Sequence, residues 1–318
     1  MAQALVLGST GHIGAHIVRV LLAEGHTVRA AYRTERFLGV LEGLPVERVR
    51  VDLDQPDSLR AALPGCGWIF HAAGYYPSAR EKREAAIRRG MESARRTFEE
   101  ISRARPERVV FTSSAATIRA VPDRAANESD AEPWPPTQWR HLCATVKIAM
   151  EQEALRAAAA GLPVVIVNPS LCLGEYDAHT FSGRAVLAFA KYRLPWYTET
   201  CFNVVYTGDV GLGHLRAAER GRIGERYLLT GQNLTLKELA TLVTTELGLP
   251  PPRWRVPSLL AMWVACAVEA LAWVRSDYLL DGSKAVRELG MPQTPVKEAI
   301  RRAVAWFKQE GILKEAGR

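Results

Sequence analysis

A short apolar run followed at once by three evenly spaced glycines constrains this chain more than any other feature. Ala4 to Leu7 reads as a strand, and Gly8-Ser-Thr-Gly11-His-Ile-Gly14 leads into an amphipathic helix that runs to about Glu24. Strand, glycine turn and helix in that order aim backbone N–H groups and the positive helix end at an anion. Side chains at the glycine positions would block its approach. The spacing is GxxGxxG, and at the head of a βαβ unit it points to a dinucleotide pyrophosphate. Gly25-His26 closes the helix, and Thr27 to Tyr32 reads as a second strand.

Further strands are predicted at Val49–Val51, Trp68–His71, Arg108–Thr112 and Pro163–Val167, separated by helices at Asp57–Ala62, about Arg80–Ala104 and Trp139–Ala160. That alternation implies right-handed crossovers and an α/β fold with a Rossmann-type, doubly wound parallel sheet. The rhythm breaks after Asn168-Pro169. Asn203–Tyr206 reads as a strand returning to the sheet and Asp209–Arg220 as a helix. Thr235–Leu247, Pro257–Val274 and Pro295–Gln309 read as helices with little strand between them. The expected division is a dinucleotide-binding domain over residues 1–170, to which 203–230 return, and a smaller, mostly helical substrate lobe from 171–202 and 231–318.

Composition narrows the class. Over 318 residues, 48% hydrophobic and 24% charged is an ordinary globular balance with room for a large core. A net charge of +7 and a pI near 9.3 would suit a polyanion, but the basic residues are dispersed. The densest run, Arg80 to Arg108, is interleaved with Glu81, Glu84, Glu92, Glu99, Glu100 and Glu107. It reads as a solvated helix with i,i+4 pairs, so nucleic acid is not an expected partner. Cys66, Cys143, Cys172, Cys201 and Cys266 are far apart and form no CxxC pair, so neither a metal site nor a disulfide framework is implied. Unpaired cysteines and a start without a basic-then-apolar leader fit the cytoplasm. Ser258 to Val274 is apolar but short for a bilayer span and carries Glu269. It reads as a lobe helix rather than an integral span, the alternative being peripheral membrane contact or the lining of a greasy channel.

The second strand bears on the choice of cofactor. NAD binders end it with a carboxylate for the ribose diol, whereas here it ends Ala31-Tyr32-Arg33. A guanidinium in that place suits a 2′-phosphate, so NADP(H) is expected over NAD(H); the alternative is an arginine that simply faces solvent. With "GSTGHIG", the segments "VDLDQPDSL" (51–59), "FHAAGYYPS" (70–78), "VVFTSSAAT" (109–117), "GLPVVIVNPS" (161–170), "RIGERYLLTGQNLTLKEL" (222–239) and "DGSKAVRELG" (281–290) resemble an extended short-chain dehydrogenase/reductase nearly end to end. Within that group of NAD(P)-dependent epimerases, dehydratases and reductases, the chain most resembles the hopanoid-associated sugar epimerase and dihydroflavonol reductase-like branch. The resemblance implies pyrophosphate contacts from Gly8, Gly11 and Gly14, with Thr10, His12 and Ile13 between them, and a phosphate contact from Arg33. It further implies adenine contacts from Asp52 and Leu53, and a floor of Ala72 and Ala73. Lys147 would hold the nicotinamide ribose, with Pro169 beside the nicotinamide.

Members of this family use a serine, a tyrosine and a lysine together. The tyrosine exchanges a proton with the substrate oxygen, the lysine cation lowers its pKa, and the serine hydrogen-bonds the same oxygen. The resemblance assigns Ser114, with Thr112 and Ser113 beside it, and Lys147. One helical turn before Lys147, however, stands Cys143 rather than tyrosine, in "HLCATVK", and Gly90 occupies the place of the family's structural asparagine. A thiol is a weak donor that ends a whole ring short of a phenol oxygen. It could ionise near neutrality beside Lys147, but a thiolate cannot protonate an alkoxide. Four readings stay open. The acid is relocated to Tyr75 or Tyr76; a water relays the proton through the vacated space; Cys143 acts as a nucleophile, with no histidine dyad beyond His141, which points elsewhere; or the domain binds NADP(H) without turnover, as a sensor or scaffold.

The substrate is expected to be a small molecule, largely apolar or sugar-containing. Trp196, Tyr197, Trp263 and Trp273 hint at an apolar ligand, though such aromatics equally build a lobe core. The resemblance also leaves room for a homodimer paired through the long helices, including the one that carries Lys147.

Overall fold

The short apolar runs of the N-terminal half become strands covered on both faces. The computed structural model describes residues 2–78, 81–136, 141–180, 182–257 and 279–313. Its strands are β1 (Gln3–Leu7), β2 (Thr27–Tyr32), β3 (Glu47–Arg50), β4 (Trp68–His71), β5 (Arg108–Thr112), β6 (Val164–Pro169), β7 (Leu171–Leu173), β8 (Trp196–Tyr197), β9 (Cys201–Tyr206), β10 (Arg226–Leu229), β11 (Gln232–Thr235) and β12 (Trp254–Arg255). The α-helices are α1 (His12–Ala23), α2 (Pro56–Ala62), α3 (Arg83–Ala104), α4 (Leu142–Ala159), α5 (Arg184–Tyr192), α6 (Thr207–Arg220), α7 (Leu236–Glu246), α8 (Ser283–Leu289) and α9 (Val296–Gln309).

Seven strands form one parallel sheet in the order β10-β6-β5-β4-β1-β2-β3. The chain reverses its direction of travel across the sheet between β1 and β4, which opens a crevice at the carboxyl ends of those strands. Every residue of β6 is buried, as a strand sandwiched between helix layers requires. One core lies under α1, α6 and the C-terminal helices, and a second lies under α2, α3 and α4. Helices α3 and α4 approach closely at Gly90, where a Cβ would meet Val146 Cγ1 at 2.8 Å. The glycine at the position where the resemblance expects asparagine therefore permits a tight helix contact.

Asn203–Tyr206 is a strand, but it does not return to the main sheet. As β9 it pairs parallel with β7 and antiparallel with β11 in a separate three-stranded sheet. The strand that joins the main sheet, beside β6, is β10. The reason lies in the chain path. β7 follows β6 after a single residue and turns away, so β9 finds its partner there and α6 carries the chain back across α1. The chain after β7 also contains β8 and β12, a two-stranded parallel pair, and α5 and α8, none of which was expected. The expected Pro257–Val274 helix, with Trp263 and Trp273, lies outside the described residues, as does the start of the helix expected from Trp139. No helix among the described residues is long and apolar enough to cross a membrane.

A buried carboxylate ties the two strands that matter most to the helix behind them. Glu151 of α4 accepts hydrogen bonds from the Ser113 hydroxyl, from Thr117 Oγ1 at 3.1 Å and from Asn168 Nδ2 at 2.7 Å, and it pairs with Arg226. Asn168 also donates to the Ser114 carbonyl at 3.2 Å, so the network reaches the end of β5. Removing one partner of such a network leaves the others buried and unmatched. Glu151→Ala is therefore expected to cost about 3–5 kcal/mol, read from the urea midpoint, and an unchanged midpoint would show that the network is not structural.

Candidate functional site

Because the sheet is parallel, the residues singled out in the sequence converge on one edge. Gly8 follows β1, Arg33 follows β2, Asp52 and Leu53 follow β3, Ala72 and Ala73 follow β4, Ser114 follows β5, and Pro169 ends β6. Lys147 approaches from the second turn of α4. The glycine loop is shaped by its backbone. Gly8 sits at φ +81, and a Cβ there would lie 2.9 Å from the Ala73 nitrogen. A Cβ on Gly14 would lie 2.1 Å from the Gly8 carbonyl oxygen, so this position also excludes a side chain. Gly11 begins α1 with no side-chain cap, which leaves the helix's first N–H groups directed outward for an anion. Ser9 donates to the Ala31 carbonyl from both its nitrogen and its hydroxyl, at 3.1 and 2.9 Å, and so ties the loop to the end of β2.

Lys147 is the other half of the site. It is only 6% exposed, and its ammonium finds no hydrogen-bond acceptor among the described residues. Its nearest partner is the face of Tyr76, with Nζ 4.9 Å from the ring centroid. Gly74 makes room for both, since a Cβ there would lie 2.6 Å from Nζ and 3.1 Å from the Tyr76 ring. Burial pulls the lysine down to about 8, against smaller raising effects from Cys143 and Glu151. His71, buried beside Phe98 and Phe111, is held near 3 by burial and adds no second positive charge. An uncapped helix start, a cradle that only glycine permits and a buried cation without an acceptor together fit a dinucleotide lying from the loop to Lys147.

The three hydroxyls at the end of β5 separate by direction. Thr112 Oγ1 lies 2.8 Å from His214 Nε2 in the interior, and Ser113 is committed to Glu151. Ser114 is half-buried; its oxygen accepts from the Ala116 nitrogen at 3.1 Å, which leaves its proton available to a ligand oxygen. Cys143 is exposed at the start of α4, and crowding by its neighbours outweighs the Lys147 charge, so the thiol is pushed up, not toward ionisation. His141, at the N-cap of α4, is exposed.

The two tyrosines after β4 have different surroundings. The Tyr75 hydroxyl donates to Glu81, and Arg89 lies over its ring at 5.4 Å. That commitment removes Tyr75 as a proton donor to a ligand. Tyr76 is 54% exposed toward the crevice, stacks on Lys147 and is influenced electrostatically by Cys172, Cys143 and Asp177; its phenol is pushed up to about 12, mainly by desolvation.

Sequence reasoning placed His12 in the loop but not the destination of its side chain. The imidazole turns toward Gly174 and Glu175, is held near 3 by burial, and has no hydrogen bond of normal geometry at either nitrogen. His16, one turn later, meets the Glu175 carbonyl at 3.1 Å. Glu175 in turn accepts from the Tyr206 hydroxyl at 2.7 Å, and Arg302 of α9 donates to that same hydroxyl at 2.7 Å. No pattern in the sequence flagged Glu175, Tyr206 or Arg302, because the contacts join segments between 31 and 159 residues apart in the chain.

Fold and site together define a dinucleotide-binding α/β protein of the short-chain dehydrogenase type. A model of the NAD-dependent epimerase/dehydratase family matches residues 4–228, and the chain belongs to that family. It is 35% identical to a putative dihydroflavonol 4-reductase of Synechocystis, with 97% of this chain and 95% of the relative covered. It is 32% identical to sterol demethylase protein B of Methylococcus capsulatus, with 97% and 99% covered. The crystal structure of a nucleoside-diphosphate-sugar epimerase from Pseudomonas aeruginosa superimposes with a TM-score of 0.86 at 28% identity, covering 98% of this chain and 99% of that one.

The lowered lysine yields a stability test with a definite sign. The folded-state pKa lies below the unfolded value of about 10.4, so the buried ammonium opposes folding at low pH, and stability rises as pH climbs between the two values. Lys147→Met should raise the urea midpoint near pH 7 by the equivalent of about 1–3 kcal/mol, and this advantage should shrink near pH 10. A midpoint lowered near pH 7 would show that the ammonium is stabilised in the free protein.

Proposed function

We propose that the protein is an NADP(H)-dependent member of its family that acts on the carbonyl of a small, largely apolar or sugar-containing substrate, by reductase or epimerase/dehydratase chemistry with an altered proton donor. The observation that carries this reading is the buried, acceptor-less Lys147 ammonium in the crevice that the glycine loop opens. Lys147 would hold the nicotinamide ribose, Gly8 to Gly14 the pyrophosphate, Asp52 and Leu53 the adenine, and Ala72, Ala73 and Pro169 the floor. The cofactor would supply or accept hydride at carbon. Residues 171–202 and 231–318 would furnish the substrate lobe.

Ser114 donates a hydrogen bond to the substrate oxygen, fixing the carbonyl and favouring charge on that oxygen. Proton delivery then falls to Tyr76, the phenol that faces the crevice beside Lys147. Lys147 lies against the ring face, and the net shift of the hydroxyl is upward. The phenol thus stays protonated through the neutral range, as a donor to an alkoxide must be. A tyrosine at position 143 would reach the crevice from α4; Tyr76 reaches it from the loop after β4. The names of two relatives, a putative dihydroflavonol 4-reductase and a ketoreductase of Stigmatella aurantiaca, support reduction as the direction.

Cys143 itself favours a second reading, in which the domain binds NADP(H) without turnover as a sensor or scaffold. A panel of ketones and aldehydes, assayed with NADPH on the wild type, Tyr76→Phe and Cys143→Tyr, separates the two. The enzyme reading expects turnover of at least one carbonyl and a loss of at least about tenfold in kcat for Tyr76→Phe, with NADPH affinity unchanged within about twofold. Binding without turnover, with activity gained only in Cys143→Tyr, supports the sensor. Binding of neither NADPH nor NADH overturns both.

A further inference from the structure

Helix α1, which starts from the glycine loop, is held by a chain of contacts that ends on α9. His12, His16 and Arg19 stand at i, i+4 and i+7 and so form one stripe of α1. That stripe meets the residues just after β7. The His16 ring is buried, and its Nε2 donates to the Glu175 carbonyl at 3.1 Å, the one role a carbonyl leaves it. Arg19 lies over the Tyr176 ring, 3.7 Å from its centroid, and donates to the Ala15 and Val40 carbonyls at 3.0 and 2.7 Å. The His12 ring, inside the glycine loop, stands 5.8 Å from that of His16, centroid to centroid.

The other side of the same segment is held by α9. Arg302 and Trp306, at i and i+4, share one face of that helix. Trp306 meets Tyr176 edge to face, with centroids 6.3 Å apart. Arg302 donates to the Tyr206 hydroxyl at 2.7 Å, and that hydroxyl donates its own proton to Glu175 at 2.7 Å. The phenol is thus used in both directions between a cation and a carboxylate, and hydrogen bonds to ionised groups are the strong ones. Glu298 steadies the guanidinium, accepting from its Nε at 2.6 Å. The Tyr206 ring also lies edge-on to His16, at 5.9 Å. Tyr176 is held in a left-handed backbone conformation at φ 68, which persists only where the surroundings impose it. A cavity of about 480 Å³, whose lining includes Arg19, Tyr176, Arg302 and Trp306, gives the segment room to move once these contacts are broken.

We propose that Arg302 and Tyr206 are positioning residues for the dinucleotide. Through Glu175 they press residues 174–176 onto the stripe of α1 that begins with His12, and so keep the glycine loop in the shape that takes the pyrophosphate. This rests on the dinucleotide reading of the glycine loop. Both residues act through Glu175 and His16, not by contact with the cofactor. A loop held ready in its binding shape avoids the ordering cost that a loose one meets on binding. The pyrophosphate is common to NADPH and NADH, so the contribution falls on both alike.

The test is binding of NADPH and of NADH, each measured by calorimetry on the full chain. Tyr206→Phe keeps the ring against His16 and removes only the bridging hydroxyl; Arg302→Met removes the donor to it. Each should weaken both dinucleotides about 3- to 10-fold, by the same factor for the two. Arg302→Lys, which keeps a donor for the hydroxyl, should recover most of that loss. Arg301→Met is the matched control, since Arg301 pairs with the same Glu298 at 2.7 Å from the neighbouring position. It should leave both affinities within about twofold, as loss of an exposed ion pair does. A wild type that binds neither dinucleotide would overturn the dinucleotide reading itself. A wild type that binds, with Tyr206→Phe and Arg302→Met unchanged, would overturn the positioning role alone. So would an equal effect of Arg301→Met, or a failure of Arg302→Lys to recover binding. Thermal midpoints measured alongside identify a variant that has lost the fold, and Tyr206→Phe, which lacks a single oxygen, then decides.

Discussion

A lysine ammonium held away from water, with no carboxylate within hydrogen-bond reach, is the interaction around which the site is arranged. Taking such a charge out of water is costly, and a fold tolerates it only where something later compensates. Here the compensation within the chain is slight: the face of Tyr76, and Glu151 one turn further along α4. Glycine at position 74 is what admits both Nζ and the ring to the same small space. The ribose hydroxyls of a dinucleotide would supply the acceptors that the protein withholds, so the buried charge and the glycine loop make sense together.

Behind the lysine, polar groups are sorted by depth. Glu151 gathers Ser113, Thr117 and Asn168 into the interior, and His214 takes Thr112. What remains at the surface of the crevice is Ser114, its oxygen occupied as a cap and its proton unspent. The same sorting distinguishes the two adjacent tyrosines, one bound to Glu81 and the other facing the crevice. A run of similar residues in the chain thus becomes a set of different chemical roles, because each hydroxyl has a different partner.

How much of this was legible beforehand depended on the range of the interactions. The parallel sheet, its glycine loop and the strands from β1 to β6 were readable because they depend on local pattern: apolar runs of strand length, glycine where backbone must approach backbone, and alternation with helices. Boundaries fell within a few residues, as with Arg80 expected and Arg83 observed at the start of α3. The placement of Asn203–Tyr206 was not readable, since an apolar strand carries no mark of which sheet will receive it. The small strands β8 and β12 are two residues each, too short to leave a periodic signal.

By itself, the sequence determined the class of fold, the glycine loop at the head of its first βαβ unit, and the absence of a tyrosine one turn before Lys147. Those follow from covalent neighbours and from the fixed periods of helix and strand. Only the tertiary structure decided which polar groups face the crevice and which tyrosine stands beside Lys147. These are matters of desolvation and direction. Both are set by what packs against a side chain, and packing partners are brought together by the fold across distances that no local pattern encodes.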